Sequence, residues 1–309
     1  MDDKANFIFE ETWFSDLEIL GPAKLELPPL PEDAYDQERF PNLIFTNDHQ
    51  LIFFTWKKCW VLKKCKNKVQ WAYHSELKHT RKAGLVLKMS KGIYVFGGQN
   101  LLGTHTSEFL PNGTKKWIDG PKLPNEVFGK LSKKGGFGTK VFGSTCALAI
   151  SSNELLMAGV HDYSDLIMKL NVDTQEWTDI GTLEGKVNTM CIFNDKVVIV
   201  YGDAKTAILP MRRSKTPTNE LEAYLEHPTV FRKGGDLNCK KRVCQKMGIV
   251  CLRGIQKLVI FGTTKEFEYI ENQKMPVEEW NDELEQWEIS TDLEFPSCRR
   301  NFALCYDSM

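Results

Sequence analysis

The stretch GIYVFGGQN, Gly92–Asn100, places four apolar and aromatic residues before two adjacent glycines and then becomes polar. Residues of these types in a short run are typical of a β-strand, and glycines at its end indicate a close approach of backbone. The pattern recurs after a polar turn in four other runs: LIFFTW at 51–56, LLMAGV at 155–160, VVIVYGD at 197–203 and LVIFGT at 258–263. The recurrence predicts a protein built from repeats.

Each repeat reads as four antiparallel strands. Another apolar run precedes the polar turn, which predicts a β-hairpin, and a third run and a tryptophan follow. These tryptophans are Trp71, Trp117, Trp177 and Trp287. Their intervals are 46, 60 and 110 residues, and the last interval equals two repeats of which one has lost its tryptophan. A propeller blade takes about 40 to 50 residues, so the unit has the size of a blade.

With these residues in view, the chain resembles the kelch family of β-propellers, whose repeat has a diglycine after its second strand and a tryptophan in its fourth. The diglycine is complete at Gly97–Gly98 and is reduced elsewhere to Ala158–Gly159, Tyr201–Gly202 and Phe261–Gly262. The resemblance covers nearly the whole chain. It implies an all-β propeller in which glycine admits a neighbouring backbone and the indole fills the space between blades.

Five repeats fit between Arg39 and Ser290, and the two ends of the chain are expected to form a sixth. The first residues contain strand-like runs at 7–9, 17–20 and 24–27, and the last residues contain one at 301–306. We expect residues 1–309 to form a single six-bladed propeller, closed by pairing of the C-terminal strand with the N-terminal blade. Closure would remove two exposed sheet edges. The fourth blade is the least regular, since NELEAYLEHP at 219–228 is also compatible with a short helical insertion.

Composition favours an ordinary globular protein. A net charge of −1, with 42% hydrophobic and 26% charged residues, gives no general attraction to nucleic acid or to a membrane surface. The first residues lack the features of a signal peptide, so we expect a cytoplasmic protein. The nine cysteines are then thiols, although the closely spaced pairs Cys59/Cys65 and Cys239/Cys244 leave a secreted, oxidised alternative open.

Catalytic and metal-binding patterns are weak in this sequence. No two of the six histidines stand at a metal-ligand spacing, and we expect no metal, no cofactor and no catalytic residue. The glycine-rich stretch GGFGTKVFG at 135–143 differs from a phosphate-binding loop because a strand-like run follows it. Since some kelch-like propellers are enzymes, a propeller enzyme or a secreted glycan-binding protein remains the alternative.

Basic residues cluster in the segments that join one blade to the next, and all these segments emerge on one face of a propeller. In kelch domains that recruit targets, arginines of this region contact acidic peptides. The resemblance therefore implies a set of partner-binding candidates: Arg39, Arg81, Lys186, Lys246, Arg299 and Arg300. Arg suits bidentate pairing with a carboxylate, whereas Lys supplies charge. We expect a monomeric, non-catalytic adaptor that binds an acidic protein segment; the alternative is that these loops are charged for solubility.

Overall fold

The runs of β-branched and aromatic residues form strands throughout the structure, a computed structural model. It describes residues 28–31, 42–45, 50–65, 68–81, 84–98, 106–123, 146–160, 163–215, 221–225, 231–239, 242–252, 255–264 and 274–296. These residues form five separate antiparallel sheets in a propeller arrangement. Among them, no helix is long and apolar enough to cross a bilayer.

The first three blades are four-stranded meanders in which each strand pairs with the next along the chain. Blade 1 consists of β1 (Asn42–Phe45), β2 (Leu51–Phe54), β3 (Lys58–Cys65) and β4 (Lys68–Glu76). Blade 2 consists of β5 (Leu85–Met89), β6 (Gly92–Phe96), β7 (Ser107–Pro111) and β8 (Ile118–Asp119). Blade 3 consists of β9 (Cys146–Ala149), β10 (Glu154–Val160), β11 (Tyr163–Asn171) and β12 (Glu176–Thr182).

The last two blades include the irregular one. Blade 4 consists of β13 (Val187–Phe193), β14 (Lys196–Tyr201), β15 (Lys205–Lys215), β16 (Leu221–Leu225) and β17 (Arg232–Lys233). Blade 5 consists of β18 (Arg242–Leu252), β19 (Ile255–Thr264), β20 (Lys274–Asn281) and β21 (Gln286–Pro296). The helical alternative for blade 4 is wrong, because residues 221–225 form a strand. The first half of β15 pairs with β14 and β17, and its second half forms a hairpin with β16.

The blades pack through the side chains that alternate across each strand. The first strands of neighbouring blades lie side by side: β1 with β5, β5 with β9, β9 with β13 and β13 with β18. Between blades 1 and 2, Ile52 and Phe54 of β2 meet Ile93 and Val95 of β6. Three further interfaces of the same kind join blades 2 to 5. The core is thus a series of apolar layers between sheets.

The tryptophans of blades 2, 3 and 5 contact the preceding blade, as the sequence predicted for the indole. The Nε1 groups donate to blade 1, blade 2 and blade 4 in turn: Trp117 to Ser75 Oγ (3.1 Å), Trp177 to the Lys122 carbonyl (3.0 Å) and Trp287 to Thr206 Oγ1 (2.9 Å). These indoles add a directional bond to each apolar layer.

The diglycine has a steric cause that confirms the predicted close approach. Gly97 and Gly98 have φ angles of 60° and 84°, in the left-handed region that favours glycine. A Cβ on Gly98 would lie 2.9 Å from the Cβ of Arg81 and 3.1 Å from its Cα. The second glycine therefore lets β6 end directly against the segment that arrives from blade 1.

The described residues form five blades rather than the expected six, and they show no closure by strand pairing. The runs assigned to the sixth blade, at 7–9, 17–20, 24–27 and 301–306, lie outside the described residues. Within the described part of the chain, no strand of blade 1 packs against blade 5 as the other neighbours pack against each other.

Candidate functional site

The predicted partner-binding residues fall into three groups. Arg39, Arg299 and Arg300 lie outside the described residues. Lys246 belongs to β18, where it is paired with Phe261, but its side chain is outside the description. The relative positions of these four side chains therefore lie outside the described part of the chain.

Lys186 and Arg81 differ from each other in exposure. Lys186 is exposed on the short connection between blades 3 and 4, and it forms no ion pair with another described residue. Arg81 lies on the connection between blades 1 and 2, but it is only 2% exposed. Its guanidinium is thus unavailable to a partner in solution.

Arg81 is buried because it forms an ion pair with Glu108 of β7. Its Nε donates to Glu108 Oε1 at 2.8 Å, and neither side chain is accessible to solvent. The same carboxylate accepts the backbone N–H groups of Lys78 (2.6 Å) and His79 (3.1 Å). The carboxylate therefore joins the third strand of blade 2 to the segment leaving blade 1.

The remaining donors of Arg81 bind blade 2. Nη1 donates to the carbonyls of Gly97 (2.7 Å) and Thr106 (2.9 Å), and Nη2 donates to Thr106 Oγ1 (3.0 Å). A buried charge with this many partners is satisfied, and losing one partner would leave an uncompensated charge. We call the Arg81–Glu108 pair and these contacts the buried clip.

Blade 5 repeats half of the buried clip. Glu278 of β20 is buried, and it accepts the backbone N–H groups of Asn238 (2.6 Å) and Cys239 (3.1 Å) on the connection from blade 4. Glu108 and Glu278 each precede the tryptophan of their blade by nine residues. That shared spacing is the sequence signal by which the two carboxylates could have been found.

Ion pairs also join neighbouring blades at the turns opposite the blade-to-blade connections. Lys91, between β5 and β6, pairs with Asp173, between β11 and β12, at 2.6 Å. Lys196, at the equivalent turn of blade 4, pairs with Asp282 of blade 5 at 2.9 Å. Partial burial raises the pKa of Asp282, but hydrogen bonds from Lys196, Asn194 and Trp280 outweigh it, and the net pKa is lowered. These charges hold blades together.

An open cleft on the outer rim separates blades 1 and 2. Its volume is about 820 Å³, within the range of small-molecule and peptide sites. The cleft lies between two outer strands of unequal length, since β4 of blade 1 has nine residues and β8 of blade 2 has only two. Its lining comes from the end of β4 and from the segment around β8: Tyr73, His74, Ser75, Glu76, Lys78, Lys115, Lys116, Trp117, Ile118 and Asp119. We call it the rim cleft.

The floor of the rim cleft contains a cluster of hydrogen-bonded side chains around Ser75. The buried Ser75 hydroxyl accepts the Trp117 indole N–H, and it also lies 2.8 Å from His74 Nδ1. Cys59 lies against the same hydroxyl. Burial raises the pKa of the Cys59 thiol to about 12, the Ser75 hydrogen bond opposes that rise, and the Glu108 charge adds to it. A buried hydroxyl and a neutral thiol are poor nucleophiles, so this cluster stabilises the fold.

The oxidised alternative for the cysteine pairs is not supported. Cys59 and Cys239 are not in disulfide bonds. Cys59 and Cys65 occupy the same strand, β3, six residues apart, which corresponds to about 20 Å and is too far for a disulfide.

The described residues contain no group of three or more His, Cys, Asp or Glu side chains that could hold a metal ion. Comparison of the sequence with protein-family models and with curated proteins found no match. The kelch assignment, the cytoplasmic location and the protein partner therefore stay predictions.

Proposed function

We propose that this chain is a non-catalytic protein-interaction module that binds an acidic segment of a partner through the face formed by its blade-to-blade connections. The observation that supports the proposal is the contrast between buried and exposed cations. Arg81 is used to join two blades, whereas Lys186, on an equivalent connection, is exposed and forms no ion pair with the described residues. A cation that the fold does not use remains available to a partner.

In sequence, Arg299 and Arg300 belong to such a connection and Arg39 precedes β1. Lys246 lies in β18, shortly after the connection from blade 4, rather than in a connection as the sequence predicted. Together with Lys186 they form the binding set that we propose. Arg81 is excluded from it, because substitution of a buried cation would change folding and binding at once.

The experiment uses purified full-length protein as bait and quantifies captured partners by mass spectrometry. The variant Lys186→Glu with Arg300→Glu should lose acidic partners, and the loss should be mimicked by raising the salt concentration. The variant Lys63→Glu with Lys91→Glu carries the same charge change at exposed positions outside both the connections and the rim cleft, and it is the matched control. Equal capture by wild type and the Lys186/Arg300 variant would refute the proposal.

We further propose the kelch-like six-bladed ring, with the sixth blade between blades 5 and 1. On blade 1, Ile52 and Phe54 face blade 2, so Phe53 points to the other side of the sheet. On blade 5, Leu258 and Ile260 face blade 4, so Phe261 points away from it. Both phenylalanines are 1% exposed. On that side Phe53 contacts Trp71 of its own blade, and no strand of another described blade packs there as the neighbouring blades pack against each other. A further sheet at this position accounts for their burial.

Trp71 supports the same position for the sixth blade. Its indole N–H donates to the carbonyl of Pro28 at 3.2 Å, as Trp177 of blade 3 donates to the carbonyl of Lys122 that follows blade 2. Pro28 follows the strand-like run at 24–27. Pro28 thus occupies the place of a residue that ends a preceding blade.

Deletion of the residues after Arg299 tests this closure. The truncated chain should lose a large part of its cooperative thermal stability, because the sixth blade would lack a strand. A melting curve identical to that of the full chain would contradict the closure.

A further inference from the structure

We propose that the outer edge of blade 1 pairs with the same edge of a second copy of this chain, which gives a two-fold symmetric dimer in place of the monomer expected from sequence. The edge is the part of β4 that pairs regularly with β3, Val69–Tyr73, and we call it the β4 edge. It is separate from the connection face of the proposed function, and it follows from the described residues of blade 1.

The β4 edge pairs on its inner side with β3, and no described strand pairs with its outer side. The register with β3 is unbroken from Lys64–Val69 to Trp60–Tyr73, and the register shift lies beyond Tyr73. β4 is the last strand in the sheet order β1–β2–β3–β4. An outermost strand presents backbone N–H and C=O groups that can pair with another chain.

The other described outer strands have features that oppose such pairing. β8 and β17 have two residues each, and β16 has Glu222 near its centre. β12 contains Asp179 and a register shift, and β21 contains three acids, a register shift and Pro296. Short length, charge, irregular register and proline all protect sheet edges. The β4 edge, with the sequence VQWAY, has no charge, proline or glycine in its five residues.

The β4 edge also exposes two large apolar side chains. Strand alternation places Val69, Trp71 and Tyr73 on one side of the sheet. Val69 is 43% exposed and Tyr73 is 50% exposed. The Tyr73 ring packs edge-on against Trp60 of β3, with ring centroids 5.9 Å apart, so the exposed ring is held in place.

The positions of these two side chains fit a second copy of the same strand. In an antiparallel pair with a two-fold axis at Trp71, Val69 of each chain lies opposite Tyr73 of the other, so the same contact forms twice. A β-branched residue opposite an aromatic residue is a favourable cross-strand pair. Gln70 then lies opposite Ala72, and no like charges meet. The β4 edge is therefore complementary to itself, and because each copy uses its edge once, assembly stops at the dimer.

The test is sedimentation velocity of the full-length protein over a range of concentrations. Wild type should convert from monomer to dimer as the concentration rises, with weak affinity because two short strands bury less area than a standard interface. Val69→Lys with Tyr73→Lys places lysines opposite each other at both contacts, and it should weaken dimerisation at least about tenfold. Ile255→Lys with Ile289→Lys makes the same charge change at exposed apolar sites of blade 5 and should leave the dimer unchanged.

A mixture of two variants tests the pairing itself. The Val69→Glu, Tyr73→Glu variant should also fail to dimerise alone, because glutamates then lie opposite each other. Mixed with the Val69→Lys, Tyr73→Lys variant it should form a dimer, since every Lys then lies opposite a Glu. Recovery of association in the mixture shows that both variants are folded at this edge.

Three outcomes would overturn the proposal: a wild type that stays monomeric, equal dimerisation of wild type and the Lys variant, or no association in the mixture. A monomeric wild type whose partner capture is lost in the Lys variant would show that the β4 edge takes a strand of another protein instead. Loss of capture in the Lys186→Glu, Arg300→Glu variant concerns the connection face alone, so the two proposals can fail separately.

Discussion

Replacement of Glu108 by Gln should destabilise the protein far more than its small change in size suggests. In the buried clip, one carboxylate oxygen accepts the Lys78 N–H, and the other accepts the His79 N–H and the Arg81 Nε–H. Gln has one oxygen and one NH2 group, so at least one of these donors must face another donor. The positive charge of Arg81 also loses its buried counter-ion.

The expected loss follows from these two effects. Breaking a buried ion pair on one side costs about 3–5 kcal/mol, which includes the uncompensated charge. An unsatisfied buried donor alone costs about 1–3 kcal/mol, so the upper half of the range is reasonable. We expect a decrease of about 4 kcal/mol in the free energy of unfolding, or about 6 °C in Tm for a chain of this length.

The assay is urea and thermal unfolding followed by far-ultraviolet circular dichroism. Glu154→Gln is the control, because Glu154 forms a partly exposed pair with Lys169 at 2.8 Å, and such pairs contribute about 1 kcal/mol or less. Adding Arg81→Met to Glu108→Gln should recover part of the loss, since it removes the stranded charge. A Glu108→Gln loss no larger than that of Glu154→Gln would refute the reasoning.

Three further results are expected. Gly98→Ala should destabilise the protein by about 1–3 kcal/mol. A φ of 84° is unfavourable for any residue with a side chain, and the added Cβ would lie 2.9 Å from the Cβ of Arg81. A chemical-denaturation midpoint equal to that of wild type would contradict this. Asp282→Asn should reduce the free energy of unfolding at neutral pH but not in acid. The pKa of Asp282 is lower in the folded protein than its ordinary value of 3.8, so the ionised carboxylate stabilises the fold above pH 3.8. That stabilisation is lost as the pH falls through the lowered pKa of the folded protein. A pH-independent difference in Tm would show that the carboxylate charge plays no part. Burial raises the thiol pKa values of Cys59 and Cys191 to about 12. Iodoacetamide at pH 8 should therefore label the partly exposed Cys146 and Cys239 before either of these two thiols, and fast labelling of Cys59 or Cys191 would place it outside the core.

Much of the blade architecture could be predicted because it depends on local pattern. The strands β5 and β6, the polar turn between them and the diglycine after β6 all lie where the sequence places them. All four residues of β2 are buried, and strand geometry alone puts Ile52 and Phe54 on the side that faces blade 2. Trp117 and Trp287 occupy the layers between blades for the same reason: each is a large side chain that ends a repeat.

The functional surface was harder to predict, because sequence shows where a charge lies along the chain but not what it faces. In sequence, Arg81 lies in a loop and is expected to be an exposed cation. In the structure it is buried, because it forms an ion pair with Glu108, which lies 27 residues later in the chain. The rim cleft depends on β8 being two residues long, which no residue pattern at Ile118–Asp119 indicates. The hairpin of β15 with β16 was likewise hard to predict, because residues 221–225 have no regular strand pattern.

A crystal structure of the full-length chain tests the proposed six-bladed ring most directly. We expect a sixth four-stranded sheet between blades 5 and 1, with residues 301–306 hydrogen-bonded to a strand from residues 1–27 and with Phe53 and Phe261 packed against it. A ring closed by direct contact between blades 5 and 1, with the chain ends elsewhere, would contradict it.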